Sequence, residues 1–203
     1  MNKNLNEKKV QSGKDSVPKR SLTARILEDV EIVVSSACIV LLIFTFLFRL
    51  CSVNGNSMNQ TLKNGDRLIV SSLPYTPKRG DIIVFHETGK YYNEPLVKRV
   101  IATGGEWLDI NFETWEVRVA DNDAMENAIT IEEPYRYLDP SKIYHHKNIH
   151  IQIPDGFLFV MGDNRYNSSD SRSPSVGLVD ERKVLGKVAC RIYPFQAIEY
   201  NGN

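Results

Sequence analysis

Histidine and cysteine are scarce in this chain of 203 residues, which contains four histidines and three cysteines. Two cysteines lie in or beside an apolar segment and the third stands alone near the C-terminus, so no disulfide framework is indicated. We interpret all three as buried thiols that act as small hydrophobic side chains. His145, His146 and His150 offer one candidate metal cluster, but the sequence shows no supporting partner for it. We therefore predict neither a metal nor another cofactor.

Net charge is also lacking, because 25 Lys and Arg residues balance 25 Asp and Glu residues. Such a balance gives no electrostatic reason to expect nucleic acid or an acidic ligand as a partner. The sequence has no helix-turn-helix pattern, internal repeat or low-complexity tract. Its length suits one domain with room for a small addition.

Long apolar runs are absent except for one, residues 32–48, which read IVVSSACIVLLIFTFLF without a charge. With apolar flanking residues this run reaches the length of about 20 that a helix needs to cross a bilayer. A cleaved signal peptide is the alternative, but its apolar part usually has about 7–15 residues and a small-x-small site directly after it. We predict an uncleaved transmembrane helix over residues 30–51, with the lipid bilayer as a partner.

Basic residues are concentrated before the apolar run, with seven in residues 1–31, whereas only Arg49 directly follows it. Because basic flanking residues stay on the cytoplasmic side, we expect a single-pass protein of the cell membrane. Residues 1–29 are then a disordered cytoplasmic tail that turns helical from about Leu22. Residues 52–203 lie outside the membrane.

The external part has the pattern of a β domain. Short β-branched runs such as RLIVSSL (67–73) and DIIVFHE (81–87) alternate with clusters of Gly and Pro, which is typical of an all-β sandwich or barrel. Residues 121–148 are more polar and irregular. We predict a mainly β fold in which residues 121–148 form a loop-rich excursion or a small cap.

Ser57 lies in residues 53–62, VNGNSMNQTL, directly after the apolar run. A serine in such a turn-forming segment is ordinarily a solvated loop residue, but it could also be an exposed nucleophile. The segment has no G-x-S-x-G elbow, and no histidine, including His86, lies in a setting that suggests support by a carboxylate, as a Ser-His-Asp site requires. By itself the segment leaves a linker and a nucleophile loop both open.

Lys98 interrupts an apolar strand in residues 95–105, PLVKRVIATGG. On a strand, Lys98 and Arg99 point to opposite faces, so one of them faces the packed side. If this is Lys98, burial can bring its pKa from about 10.4 down to roughly 6–8, and a neutral amine can act as a general base. A surface lysine is the alternative.

Residues 161–179, MGDNRYNSSDSRSPSVGLV, are rich in Asp, Asn, Ser and Arg at the end of an apolar strand. They could form a hydrophilic loop whose surface ion pairs contribute little to stability. They could equally form the wall of an active site, with hydroxyl groups that orient a lysine amine. Composition does not decide between these two interpretations.

Taken in order, these segments resemble the type I signal peptidase (leader peptidase) family of membrane-anchored serine proteases. Four ordered boxes behind one anchor make the resemblance specific, and the short chain with one span resembles the form common in Gram-positive bacteria. The boxes are V-x-G-x-S-M-x-x-T-L at 53–62, GDIIVF at 80–85, VKRVIATGGE at 97–106, and MGDNRYNSSDSR at 161–172 with G-x-V at 177–179.

The resemblance implies a signal-peptidase-type β catalytic domain with a Ser-Lys dyad, in which Ser57 is the nucleophile and Lys98 the general base. It also implies that Ser168 orients the lysine, that Met58 packs under the site, and that no cofactor is used. The family's structural polar network near the site would comprise Asp163, Arg165, Asp170 and Arg172.

The function implied is the removal of signal peptides from secreted preproteins, after small residues in A-x-A-type sites, at the outer membrane surface. One alternative is a catalytically silent or narrowly dedicated signal-peptidase-like assembly factor for surface proteins. A purely structural anchored β domain is another. Self-cleaving Ser-Lys repressors share a similar core, but they carry a DNA-binding domain where this chain has a membrane segment.

The chain departs from the family pattern at three places. Gln60 stands where the family usually has a proline, which would stiffen the nucleophile loop. Gly55 lacks the hydroxyl that some relatives place two residues before the nucleophile. The lysine box continues with ATGGE at 102–106 instead of G-L-P-G-D. None of these differences removes a proposed catalytic group.

Overall fold

The structure is a computed structural model, and it describes residues 21–87, 93–142, 147–195 and 197–198. Most of the predicted cytoplasmic tail, together with His145 and His146, lies outside the described residues. The chain divides into two compact units, one ending at Ile43 and the other beginning at Phe44.

Helix α1 (Leu22–Leu47) is the apolar helix expected near the N-terminus. It begins at Leu22 because Ser21 Oγ accepts a hydrogen bond from the amide of Ala24 at 3.2 Å, as a helix-capping side chain does. No residue of α1 is buried, and its 26 residues are long and apolar enough to cross a membrane by length and composition. The helix ends at Leu47 and not at residue 51, because Phe48–Ser52 form a strand that pairs with the next strand of the chain.

Eleven strands account for the regular structure of the described residues after α1, together with a short 3-10 helix at Glu181–Lys183. In chain order they are β1 (Phe48–Ser52), β2 (Arg67–Ser71), β3 (Ile82–Phe85), β4 (Leu96–Thr103), β5 (Trp107–Asn111), β6 (Glu116–Ala120), β7 (Ile129–Thr130), β8 (Ile149–Gln152), β9 (Phe157–Met161), β10 (Val179–Asp180) and β11 (Val184–Tyr193).

The strands form two antiparallel sheets. One has seven strands in the order β1-β2-β11-β3-β4-β9-β10, and the other has four in the order β7-β6-β5-β8. Alternation decides which side chains are buried in strands such as β5, where Leu108 and Ile110 are buried and their neighbours are not. The prediction of a mainly β fold with one N-terminal apolar helix is confirmed.

Strand β4 lies at the centre of the large sheet, between β3 and β9. Its residues contribute to three hydrophobic clusters, through Val97, Val100 and Ile101. Both faces of β4 are therefore covered, and both Lys98 and Arg99 are buried, with 3% and 0% of their surface exposed. The expectation that only one of these two residues faces a packed side is wrong.

The interpretation of all three cysteines as buried thiols is also wrong. Cys38 is exposed on α1, Cys51 is half-buried on β1, and Cys190 is exposed on β11. Strand β11 changes register between Val188 and Cys190, and this irregularity leaves the Cys190 side chain on the open face.

The described part of the polar segment 121–148 is mostly turns. Strand β7 joins the four-stranded sheet beside β6. Residues 133–137, here called the brace segment, contact the turn after β9: the Tyr137 amide donates to Asp163 O at 2.8 Å, and Tyr137 O accepts from the Arg165 amide at 3.1 Å.

Glu133 anchors the brace segment by a buried ion pair. Its side chain is 1% exposed and that of Arg165 is 0% exposed. Both carboxylate oxygens of Glu133 accept hydrogen bonds from the guanidinium, one of them at 2.9 Å from Nη1. Because both charges are out of water, each needs the other as its counter-ion, and removing one leaves an uncompensated buried charge.

We expect Glu133→Gln to lower the free energy of unfolding by about 3 kcal/mol, because it leaves the buried Arg165 charge without its counter-ion. Urea denaturation of the detergent-solubilised chain, followed by tryptophan fluorescence, measures the change. The matched control is Glu132→Gln, since the neighbouring Glu132 is exposed, and its effect should stay within about 0.5 kcal/mol. Equal losses in the two variants would contradict the assignment.

Candidate active site

Ser57 lies in the loop between β1 and β2, and buried side chains anchor the middle of this loop in the core. Met58 and Leu62 are fully buried there, and a hydrogen bond of 2.8 Å from the Leu62 amide to Met58 O closes a turn between them. Gly55 has φ of +95°, in the left-handed region that favours glycine. The loop therefore bends tightly and leaves Ser57 half-buried at its surface, while Met58 packs beneath as predicted.

The Lys98 amine reaches Ser57 from strand β4. Its Nζ lies 2.9 Å from Ser57 Oγ and donates a second hydrogen bond to Val97 O at 3.0 Å. The two residues are 41 positions apart in the chain. Packing of β4 and the Ser57 loop into one hydrophobic cluster, through Val97 and Met58, brings them together.

Burial lowers the pKa of Lys98 from its usual value of 10.5 to about 8, since an ammonium group loses favourable hydration in the interior. The carboxylates of Asp170 and Asp163 act in the opposite direction, and the charge of Arg172 lowers the pKa further. An amine with this pKa, in contact with a hydroxyl group, can accept its proton near neutral pH.

Asp170 is held as a buried carboxylate. Arg172 donates to its two oxygens at 2.8 and 2.7 Å, and the amide of Gly162 donates at 2.9 Å. Burial by itself would raise the pKa of Asp170, but the hydrogen bond and the charge of Arg172 outweigh it and the pKa is lowered. Asp170 therefore remains ionised beside the lysine.

Ser168 lies beside Gly162, with its hydroxyl oxygen buried. A Cβ at Gly162 would collide with both Ser168 Oγ and the carbonyl oxygen of Ser57, so only glycine allows this close approach. Within the described residues, the Lys98 amine hydrogen-bonds to Ser57 and Val97 but not to Ser168. The role of Ser168 in orienting the lysine stays a prediction.

Asp163 and Arg99 form a second buried ion pair on the other face of β4. Arg99 Nε and Nη2 each donate to Asp163 at 2.8 Å, and Thr61 Oγ1 donates to the same carboxylate at 2.5 Å. The guanidinium also lies over the ring of Tyr135, 3.7 Å from its centroid. Thr61 belongs to the Ser57 loop, so this pair ties that loop to β4.

The turn after β9 holds the Ser57 loop through the backbone. The Asn164 amide donates to Ser57 O at 3.0 Å, and Asn164 Nδ2 donates to Asn56 O at 3.1 Å. Arg165, fixed by Glu133, donates from Nε to Gly162 O at 3.1 Å. Asp163, Arg165, Asp170 and Arg172 thus each belong to a buried ion pair near the loop, and their role as a structural network of an active site stays a prediction.

Arg99, Tyr135 and Glu133 are parts of this network that the sequence did not identify. For Arg99 the available signal was its place next to Lys98 on an apolar strand. Glu133 lies 32 residues from Arg165 in an irregular polar stretch, where nothing in the local pattern marks it as buried.

A cavity of about 300 Å³ opens beside Ser57 and Lys98. Two chain segments wall it, residues 50–54 and residues 94–97, and apolar side chains such as Val53, Leu96 and Val97 contribute to its lining. A groove of this kind can hold an extended peptide whose alternate side chains enter it.

His150, on β8, differs from the expectation that no histidine is supported by a carboxylate. Its ring nitrogens lie 3.3 Å from Asp109 and 2.9 Å from Asp123. These side chains are partly exposed to solvent. The contacts are not evident from the sequence, because the carboxylates lie 41 and 27 residues away from His150 in the chain. His145 and His146 cannot be placed, because they lie outside the described residues.

Comparison with known proteins identifies the family of the chain. The family model described as "Signal peptidase, peptidase S26" matches residues 26–193. Signal peptidase IB of Staphylococcus aureus is 31% identical over 176 residues, which cover 81% of this chain and 88% of that protein. The probable signal peptidase I-1 of Synechocystis sp. is 30% identical over 178 residues, which cover 83% of each chain.

Among solved structures, the crystal structure of a signal peptidase I from Enterococcus faecalis matches with a TM-score of 0.43 and 24% identity, covering 57% of this chain and 98% of that one. The family match extends over more than half of the chain, from α1 to the end of β11. The chain therefore belongs to the signal peptidase family, peptidase S26, and the expectation of a type I signal peptidase is confirmed.

Proposed function

We propose that this peptidase removes signal peptides from preproteins with Ser57 as nucleophile and Lys98 as general base. The observation that carries the proposal is the buried Lys98 amine, 2.9 Å from Ser57 Oγ, with its pKa lowered to about 8. In this environment a fraction of the amine is neutral at physiological pH and can accept the serine proton.

In the proposed mechanism, Lys98 Nζ takes the proton from Ser57 Oγ while the oxygen attacks the carbonyl carbon of the scissile bond. The oxyanion that forms accepts a hydrogen bond from the Ser57 amide, a donor directed at developing charge. Lys98 then protonates the leaving amine, and an acyl-enzyme remains. A water molecule, deprotonated by the same lysine, hydrolyses this ester and restores Ser57.

Substrate selection is proposed to follow from the groove beside the dyad. A signal peptide that binds as an extended strand would direct its residues at −1 and −3 into the groove and its residue at −2 away from it. The volume of about 300 Å³ belongs to the whole groove. Little of it is available to any one substrate side chain, so small residues are favoured at the two inward positions. This matches A-x-A-type cleavage sites.

The site is further proposed to lie at the outer membrane surface, with the N-terminus in the cytoplasm. Basic residues precede the apolar helix, which argues for this orientation. Ser57 follows Phe48 by nine residues, which span at most about 30 Å when fully extended. A nucleophile tethered this closely suits a bond at the end of a membrane-inserted signal peptide.

The dyad is tested with Ser57→Ala and Lys98→Ala forms of the full chain in detergent, incubated with a preprotein. Each substitution should reduce kcat/KM at least about a thousandfold, because either loss removes the nucleophile or its base. Ser169→Ala and Lys63→Ala serve as controls, since both residues are exposed. Unchanged cleavage by both dyad variants would refute the assignment. If the unmodified chain and both variants are all inactive, the alternative of a catalytically silent relative replaces the proposed function.

The pKa of Lys98 predicts the pH dependence of cleavage. Since the base must be neutral, kcat/KM should fall about tenfold for each pH unit below about 8 and level off above it. Initial rates between pH 6 and 10, with a substrate that has no group titrating in this range, measure the profile. A rate that stays constant from pH 6 to 8 would rule out a lysine base with this pKa.

The proposed orientation predicts that Cys190, exposed on β11, reacts from outside the cell. In a background with Cys38→Ser and Cys51→Ser, a membrane-impermeant maleimide should label the protein in intact cells. Labelling should disappear in the form that also carries Cys190→Ser. Labelling that occurs only after the cells are broken would place the β domain on the inner side.

A further inference from the structure

We propose that Glu94 is a specificity-determining residue, which favours substrates with a basic side chain at the fourth residue before the scissile bond. The inference rests on the proposed function, since it takes Ser57 and Lys98 as the point of cleavage. It adds a charged position to a specificity that otherwise depends on the size of two side chains.

Glu94 lines the cavity that contains the dyad, on the same wall as Lys98. It precedes Lys98 by four residues, a separation of at most about 13 Å along an extended chain. A peptide that runs along this wall from its scissile bond at the dyad therefore places its fourth or fifth residue near Glu94. Residues at −2 and −4 point away from the groove floor when −1 and −3 point into it, so −4 faces the rim.

Charge distinguishes Glu94 from the rest of the groove. Among the described residues that line the cavity, Glu94 is the acidic side chain and Lys98 the basic one. Pro95, Leu96 and Val97 lie between them and are uncharged. A substrate cation is thus attracted to Glu94, which three uncharged residues separate from the Lys98 charge.

Asn54 orients the Glu94 carboxylate. Its Nδ2 donates to Glu94 Oε2 at 2.9 Å, across 40 residues of sequence, and so links the two walls of the groove. An ionised carboxylate has about four acceptor positions, and this bond uses one of them. Both side chains are exposed, so a lysine or arginine of the substrate can reach the carboxylate without losing its own hydration.

The expected effect is modest, because an exposed ion pair is screened by water. Pairs of this kind correspond to about a two- to fivefold preference. We therefore expect substrates with Lys at −4 to exceed those with Glu at −4 by about fivefold in kcat/KM, with Gln between them. The preference should shrink in 0.5 M NaCl, because the screening length falls to about 4 Å.

The test uses the full chain in detergent and a model preprotein with Lys, Gln or Glu at −4, with the same three residues at −2 as a control for total substrate charge. We expect the −4 preference to be lost in Glu94→Gln and reversed in Glu94→Lys. Glu113→Lys is the matched control, because Glu113 is exposed in the turn between β5 and β6. It should keep the preference of the unmodified chain.

Equal cleavage of the three −4 substrates by the unmodified chain, or a preference that survives in Glu94→Lys, would overturn the role of Glu94. In both cases the proposed removal of signal peptides would stand, because cleavage itself is observed, and the Ser57→Ala and Lys98→Ala forms test the dyad separately. If the unmodified chain cleaves none of the substrates, the proposed function fails and the inference fails with it. Superimposable circular dichroism spectra of all forms verify that the variants are folded.

Discussion

Burial of the Lys98 amine is the constraint on which the rest of the candidate site depends. An ammonium group removed from water loses hydration free energy, so the neutral amine is favoured and the pKa falls to about 8. The fold imposes this burial by carrying Lys98 on β4, a central strand that contributes to three hydrophobic clusters. Ser57 then contacts the amine because Met58 and Leu62 anchor its loop in one of these clusters.

Carboxylates beside the amine oppose this effect without outweighing it. Asp170 and Asp163 both raise the pKa of Lys98, and each is paired with a buried arginine, Arg172 and Arg99 respectively. The charge of Arg172 acts against the carboxylates and lowers the pKa of Lys98. The same pairs hold the loops, because removing one partner of a buried pair costs about 3–5 kcal/mol. The same buried ion pairs thus hold the loops in place and set the charge near the Lys98 amine.

The brace segment, which has no regular secondary structure, is held by a buried ion pair in the same way. Glu133 holds Arg165, and Arg165 in turn donates to Gly162 O. Gly162 lies against the Ser57 carbonyl and the Ser168 hydroxyl, where a larger residue would collide. The brace segment therefore helps to hold the Ser57 loop, although none of its residues 133–137 hydrogen-bonds to Ser57 Oγ in the described structure.

The sequence by itself determined the β class and a helix that starts at about Leu22, and its family boxes pointed to Ser57 and Lys98 as candidates. Each depends on local pattern: short β-branched runs, an apolar run or an ordered motif. Only the tertiary structure decided that residues 48–51 pair as a strand, that Arg99 is buried with Lys98, and that Glu133 joins the site. Apolar residues at the end of a helix suit a helix or a strand equally well, and a charged residue becomes buried only when distant segments cover it. Burial and pairing depend on contacts between segments far apart in the chain, and a local sequence pattern carries no information about those contacts.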